Sequence, residues 1–269
     1  MNKSGKSNLV RELVKREIKV RYQRHFLGFA WAFLAPILMI AVFYLVFVKF
    51  LSVDLPEVPF MLYLMSAVFP WTFFQDSLLG STTTLVNNKN LIKESAFPHY
   101  FLPVSLALSN AVVFIPAMCV TIIVSAIMMK GLSLLVFFLP IIVLLHFAII
   151  AGLSVISSIL YVRLRDIKYI LDALLLFLFY LTPVFYSLSL PAKNLPGTLG
   201  KIYLCNPFVG ILNLYRISLL KGYYNNVVPQ HTTLAEMIIP PVILAVISLA
   251  GAFYFYRKNK GTINDYLSY

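Results

Sequence analysis

Three residues near the start, Gly5-Lys6-Ser7, are those that close a phosphate-cradling loop. The full pattern, G-x-x-x-x-G-K-[ST], wraps backbone N–H groups around the phosphates and needs an earlier glycine and a preceding strand. That glycine would fall ahead of Met1. The stretch is therefore expected to be a polar tail, with no ATP site of its own in this chain. The histidines His25, His99, His146 and His231 are scattered, and no H-E-x-x-H, C-x-x-C or G-x-S-x-G pattern occurs. No catalytic residue and no metal centre is expected. Asp76 and Asp172 are the acids placed within apolar runs, both toward the basic side. A proton-coupled carrier needs an ionisable relay at mid-membrane. Only His146 is available for one, and it is expected to be a hydrogen-bonded packing residue. The remaining acids Asp54, Glu57 and Glu236 form no cluster that would hold a metal for glycosyl transfer.

Other residue patterns suit binding rather than catalysis. Arg11, Lys15 and Lys19 recur every four residues, opposite an apolar face of Leu9, Val10, Leu13, Val14, Ile18 and Tyr22. A basic amphipathic helix of this kind lies in a headgroup plane, drawn to anionic lipid. The stretch "VNNKNLIKESAFPHYFLP" holds a short helix from Asn90 to Ala96, stopped by Pro98. Leu91 and Ile92 are apolar in a polar connection, which suggests a docking surface; a plain connecting loop is the alternative. Aromatic residues are abundant, at 22 Phe, 16 Tyr and 2 Trp. Many fall at helix ends, as an interfacial belt requires. Phe43, Tyr44, Phe47, Phe177, Phe179 and Tyr180 lie deeper. Their faces could stack on sugar rings in a pore, or they could pack against lipid.

The elements that must position these groups are membrane elements. Of 269 residues 60% are hydrophobic and only 12% charged, against about 25% charged in soluble domains. The fold class expected is an all-α integral membrane protein. Six apolar segments are long enough to cross about 30 Å of hydrocarbon: roughly 26–48, 60–85, 102–129, 132–162, 167–188 and 237–256. Residues 1–25 form the interface helix and 26–269 the membrane domain. The first apolar run is too long for a secretory signal. Cys119 lies in an apolar run, the setting of a buried free thiol. Of 22 Lys and Arg, eight precede residue 26, two lie in loop 86–101, three at 163–168 and three in the tail. That bias puts both termini in the cytoplasm. The net charge of +12 is concentrated at span ends, as an orientation signal rather than a nucleic-acid surface. Outside, residues 189–234 include an apolar 15-mer, 206–220, too short to cross and expected to be re-entrant.

In this order, "REIKVRYQRHFLGFAWAFLAPIL", "FPWTFF", "NNKNLIKESAFPHYFLP", "RLRDIKYILD", "LTPVFYS" and "NPFVGILNLYR" resemble the membrane subunit of ABC-2 type exporters. The branch most similar exports lipid-linked polysaccharide: O-antigen, teichoic acid or capsule. The resemblance spans essentially the whole chain. It implies a homodimeric permease above two copies of a separate ATPase, which carries the ATP and Mg, in the bacterial inner membrane. It makes residues 87–98 a coupling helix, with Asn90, Leu91, Ile92, Lys93 and Glu94 inserted into that ATPase. It makes Arg11, Lys15, Arg16, Lys19 and Arg21 contacts to the diphosphate of an undecaprenyl-linked glycan. It puts the first and fifth spans, with their deep aromatics, along the channel. It makes 206–220 part of short helices closing the exit. An exporter of drugs or small lipids on the same scaffold, and a non-transporting scaffold for glycan assembly, are the alternatives.

Overall fold

A computed structural model describes residues 3–22, 30–52, 58–94, 98–195, 197–229 and 232–263. Helices joined by short turns and irregular stretches make up these residues, and no strand occurs among them. α1 (Lys3–Tyr22) carries the basic repeat. α2 (Trp31–Phe43) continues without a break into a π-helix, Tyr44–Phe50. α3 (Phe60–Asn87), α4 (Lys89–Glu94) and α5 (Phe101–Met128) follow. A 3-10 turn, Leu134–Phe138, leads into α6 (Leu139–Arg163).

α3 is the axis of the bundle. α5 and α6 flank it, α12 (Leu234–Asn259) lies beyond α6, and α10 (Pro207–Leu219) is wedged between α12 and α3. α2 and α7 (Ile167–Leu181) lean on α3 from the edge. The remaining helices are short: α8 (Ser189–Asn194), α9 (Gly197–Leu204) and α11 (Tyr223–Asn226).

Among the described residues, three helical stretches are long and apolar enough to cross a membrane: Phe101–Met128, Leu134–Arg163 and Leu234–Asn259. Their outer faces carry exposed Ile123, Ile127, Ile141, Leu144, Val246 and Ile247. An apolar outer face is what contact with acyl chains requires. α3 has the length, 28 residues, but a polar stripe, Ser66, Ser77, Ser81, Thr82 and Thr84, which it buries inside the bundle. Each of Ser66, Thr82 and Thr84 donates its hydroxyl to a carbonyl three or four residues back, so no extra partner is needed.

Two expectations need correction. Segment 167–188 is not one continuous helix: α7 stops at Leu181 after 15 residues, short of the roughly 20 that a helical crossing needs. Pro183 has no N–H to continue the ladder, and Thr182 before it is held extended, φ −97° and ψ 142°. Cys119 is not buried; it sits exposed on the outer face of α5. Of the first expected span, residues 26–29 lie outside the described residues.

Close helix approach is set by small residues, as it must be where lipid gives no hydrophobic drive for association. A Cβ on Gly152 of α6 would stand 2.5 Å from the backbone of Ser248 on α12. A Cβ on Gly210 of α10 would collide with the carbonyl of Met237, also on α12. Both obstacles are backbone and cannot rotate away. Gly152→Ala is therefore expected to push α6 from α12 and cost about 1–3 kcal/mol. The cost should appear as a lower midpoint in a thermal series followed by size exclusion in detergent. An unchanged midpoint would mean the two helices separate freely.

Candidate functional site

Two buried clusters divide the interior. The smaller gathers the ends of six helices. Leu13 of α1, Leu85 of α3, Ile92 of α4, Leu102 of α5, Val162 of α6 and Ala252 of α12 are all buried together there. Leu9 and Leu91 are half-buried at its edge. The turn from α3 to α4 is made by Asn87 and Asn88. Asn88 Nδ2 donates to the Thr84 carbonyl at 2.9 Å, and the Asn88 carbonyl accepts from Ile92 N–H at 3.1 Å.

This geometry corrects the expected docking surface. Ile92 is 2% exposed and faces inward, pinning α4 to the cluster. The exposed side of α4 is Lys89, Asn90 and Lys93, with Leu91 at the margin. The Glu94 side chain lies outside the described residues.

α1 packs its Leu13 face on α5 and leaves Arg11, Lys15, Arg16 and Lys19 exposed. The Arg21 side chain lies outside the described residues. Lys15 Nζ is bound to Glu12 at 2.8 Å, and that hydrogen bond holds the Glu12 carboxyl below its usual pKa. Lys15 is thus already paired, although such an exposed bridge is worth little. Arg16 and Lys19 have no ion pair among the described residues.

Beside the cluster, Arg163 donates to the Asn259 side chain, tying the end of α6 to that of α12. Tyr256 is hydrogen-bonded to the backbone of His99. Partial burial lowers the His99 pKa from its usual 6.5.

The larger cluster contains the aromatic residues. Phe43 stacks on Phe179 at 6.1 Å and lies 5.6 Å from Phe185. Phe47 lies 5.3 Å from Phe185, and Trp71 5.6 Å from Phe179. The six deep aromatics therefore divide. Phe43, Phe47 and Phe179 pack on one another through Phe185, fastening the edge helices α2 and α7 to the bundle. Tyr44, Phe177 and Tyr180 are exposed. Phe185 was missed in the sequence because it follows Pro183 in a stretch read as the end of a span. His146 is fully enclosed, with its Nδ1 3.3 Å from the Tyr215 hydroxyl and Phe73 and Phe74 around its ring, a packing position.

The third feature is α10. Asn206 caps it by accepting from the Phe208 N–H at 3.0 Å, and Pro207 occupies the first turn. Every residue from Phe208 to Leu219 is buried. Arg216 is among them, fully enclosed. Its guanidinium lies 3.5 Å from the centre of the Tyr63 ring on α3, and Nη2 donates to the Val184 carbonyl at 2.9 Å. Among the described residues Nε and Nη1 make no hydrogen bond of normal geometry, the Tyr223 hydroxyl is close enough to feel the guanidinium, and no carboxylate pairs with Arg216. Tyrosine oxygens supply the rest of the polar setting. Tyr63 donates to the Tyr186 carbonyl at 2.6 Å, Tyr186 and Tyr203 share a hydrogen bond of 3.1 Å, and Tyr223 donates to Asn213 Oδ1 at 2.7 Å. Burial raises the pKa of Tyr203, so it stays a neutral donor. Sequence reasoning treated 206–220 as apolar and passed over its one cation.

Among the described residues no group of His, Cys, Asp and Glu could hold a metal. What this assembly offers is a basic helix and a short polar helix fixed on one cluster, and an aromatic interior closed by a buried helix.

The family model for ABC-2 type transporters matches residues 8–220. The chain is similar to the O-antigen export system permease protein RfbA of Myxococcus xanthus, 28% identical over 236 residues and 88% of each chain. It is also similar to two proteins of that name from Klebsiella pneumoniae, 24% and 25% identical over 241 residues, again with 88% of each chain covered.

If the Tyr63 ring carries Arg216, ring and hydroxyl should be separable. Tyr63→Phe keeps the cation–π contact and should cost about 1 kcal/mol, one neutral hydrogen bond. Tyr63→Leu removes the ring and should cost about 2 kcal/mol more. Thermal midpoints of the two purified variants would rank them; equal midpoints would deny the ring its role.

Proposed function

The chain belongs to the ABC-2 type transporter family, and we propose that it is the membrane-spanning permease subunit of an ATP-driven O-antigen export system. The observation that carries this is the likeness to O-antigen export permeases along 88% of both chains. As a permease of this family the chain is a multi-pass membrane protein and a transport subunit, not the ATPase.

We infer the finer parts as follows. ATP and Mg bind a separate ATPase subunit, two copies of which serve a homodimer of this chain. α4 is the coupling helix. Ile92 holds it in place from behind, and Asn90, Lys93 and the margin of Leu91 face the ATPase, with Glu94 beside them. The cargo is undecaprenyl-diphosphate-linked glycan. Arg11, Arg16, Lys19 and Arg21 meet its diphosphate, the arginines by bidentate bonds and the lysine as a point charge. Lys15 joins them by giving up Glu12. The chain sits in the inner membrane with both termini cytoplasmic, and six segments cross or enter the bilayer, α7 completing its crossing through the irregular stretch after Thr182. Phe177 and Tyr180, exposed on α7, are the rings available to line a pore closed by the second copy. Phe43, Phe47 and Phe179 are its supporting wall.

Purification from the native membrane in mild detergent, with mass spectrometry of what is retained, tests the proposal. A stoichiometric ATP-binding subunit and a diphosphate-lipid glycan are expected. An ATPase without glycan would favour a small-substrate exporter. No ATPase under several mild conditions would sink the exporter reading in favour of a scaffold.

The headgroup role has its own test. Arg16→Ala with Lys19→Ala should lower the stimulation of ATPase by lipid-linked glycan about ten-fold, the loss of two charged contacts, and leave basal ATPase intact. Equal loss of both activities would remove the role.

A further inference from the structure

The π-helix that ends the first apolar helix has an effect on one lysine. From Ile37 to Phe43 the chain is α-helical and turns about 100° per residue. From Tyr44 to Phe50 it is π-helical and turns about 82° per residue. Over that path Lys49 returns to within about 10° of Ile37 around the helix axis, whereas an unbroken α-helix would leave it about 120° away. The wider winding therefore brings Lys49 onto the same face as Ile37, Ala41 and Leu45.

That face lines a groove of about 580 Å³, closed on its other sides by α3, through Met65, and by α5, through Val120. Apart from the Lys49 ammonium and the Tyr44 hydroxyl, its walls are apolar side chains. Lys49 is exposed, and no hydrogen bond or ion pair engages it among the described residues. The twelve positions from Ile37 to Lys49 rise about 16–18 Å. Half of a hydrocarbon core is about 15 Å deep. The groove is thus one leaflet deep, apolar along its length, and cationic only at the end where lipid phosphates lie.

We propose that this groove holds an acyl chain of one phospholipid with an anionic headgroup, its phosphate paired with Lys49. Length, lining and the position of the single charge all match such a lipid. Among the described residues no acid faces Lys49, so a neutral lipid would bring it no counter-charge, and a second protein helix would need an acid opposite it. The site depends on the exporter reading for only one point: with the amino end cytoplasmic, Lys49 lies in the outer leaflet. It is distinct from the basic face of α1 at the opposite end of the bundle.

The test uses the full chain with whatever subunit copurifies, reconstituted in nanodiscs of phosphatidylcholine and phosphatidylglycerol and analysed by native mass spectrometry. One tightly held phosphatidylglycerol per chain is expected after stepwise removal of lipid. Lys49→Ala should lower the retained ratio of phosphatidylglycerol to phosphatidylcholine about five-fold, the loss of one cation–headgroup contact. Ala41→Trp, which fills the groove from an exposed position, should abolish retention of both lipids while the protein still elutes as a single species. Val120→Trp serves as a second filling variant if Ala41→Trp does not fold. Retained lipid in the same ratio as the bilayer, or a ratio unchanged by Lys49→Ala, would overturn the proposal. So would a Leu45→Cys variant that forms a disulfide between two copies in native membranes, because the partner would then cover the groove. Failure here would leave ATPase copurification untouched, and absence of an ATPase would leave lipid retention untouched, so the two proposals fail separately.

Discussion

Everything on one side of the bundle is arranged around a guanidinium that cannot be left alone. Arginine stays charged in proteins, and a charge facing acyl chains at mid-membrane costs about 2.5–3.5 kcal/mol or more. α10, mostly apolar apart from Asn213, Tyr215 and Ser218, therefore has a strong reason to turn its Arg216 side inward. Inside it finds the Tyr63 face at 3.5 Å and the Val184 carbonyl at 2.9 Å. The first fixes α10 against α3. The second fixes it against the irregular stretch after α7, whose freed carbonyls would themselves be costly in lipid. Each solves the other's problem: the broken end of α7 supplies an acceptor, and Arg216 supplies a donor. A carboxylate partner would give a tighter lock. Neutral tyrosines give a softer one.

The rest of the packing follows a membrane logic rather than an aqueous one. Helices meet where side chains vanish, at Gly152 against Ser248 and Gly210 against Met237. Hydroxyls close on their own helix, as Ser105, Ser109 and Thr121 do, so they can be buried without seeking partners across the bundle. A few bonds do cross, Asn110 to Ser77 at 3.1 Å and Thr82 to Ser157 at 3.1 Å, and both join α3 to a neighbour. α3 is the polar spine that its flanking helices share, and they in turn carry the lipid-facing surface.

Much of this was legible in the sequence. The expected segments 60–85, 102–129 and 237–256 lie within a few residues of α3, α5 and α12, because long apolar runs with charged flanks leave little choice. The basic face of α1 could be read from its repeat. Ile92 could not: a helix of six residues has no periodicity that tells a docking face from an anchoring one. Its burial depends on Leu13, Leu85 and Leu102, which meet only in the fold. α7 was overrun because apolarity continued through Thr182-Pro183 while the backbone could not. Arg216 stood in plain view as the one cation in an apolar run. Its meaning depended on Tyr63, far upstream, and no local pattern links the two.

The two buried clusters also bear on how force could cross the protein. α3, α5, α6 and α12 each contribute residues to both clusters. Of these, α3 alone runs from the Arg216 contact, at Tyr63, to the turn that carries α4. On the exporter reading, a displacement of α4 enters through Ile92 and Leu85 and reaches Tyr63 along a single helix. That helix is not uniform, because Pro70 lies inside it and proline removes one ladder hydrogen bond and favours a kink. A rigid rod would carry axial movement to the exit. A rod with one weak point near its middle lets the two ends pivot, so a rocking motion at α4 becomes a tilt of the Tyr63 ring beneath Arg216. A cation–π contact depends on that tilt and tolerates small slides along the ring, whereas a bidentate salt bridge would resist both. The Tyr63 ring thus holds α10 against α3 through a contact that a tilt of α3 weakens and a slide does not.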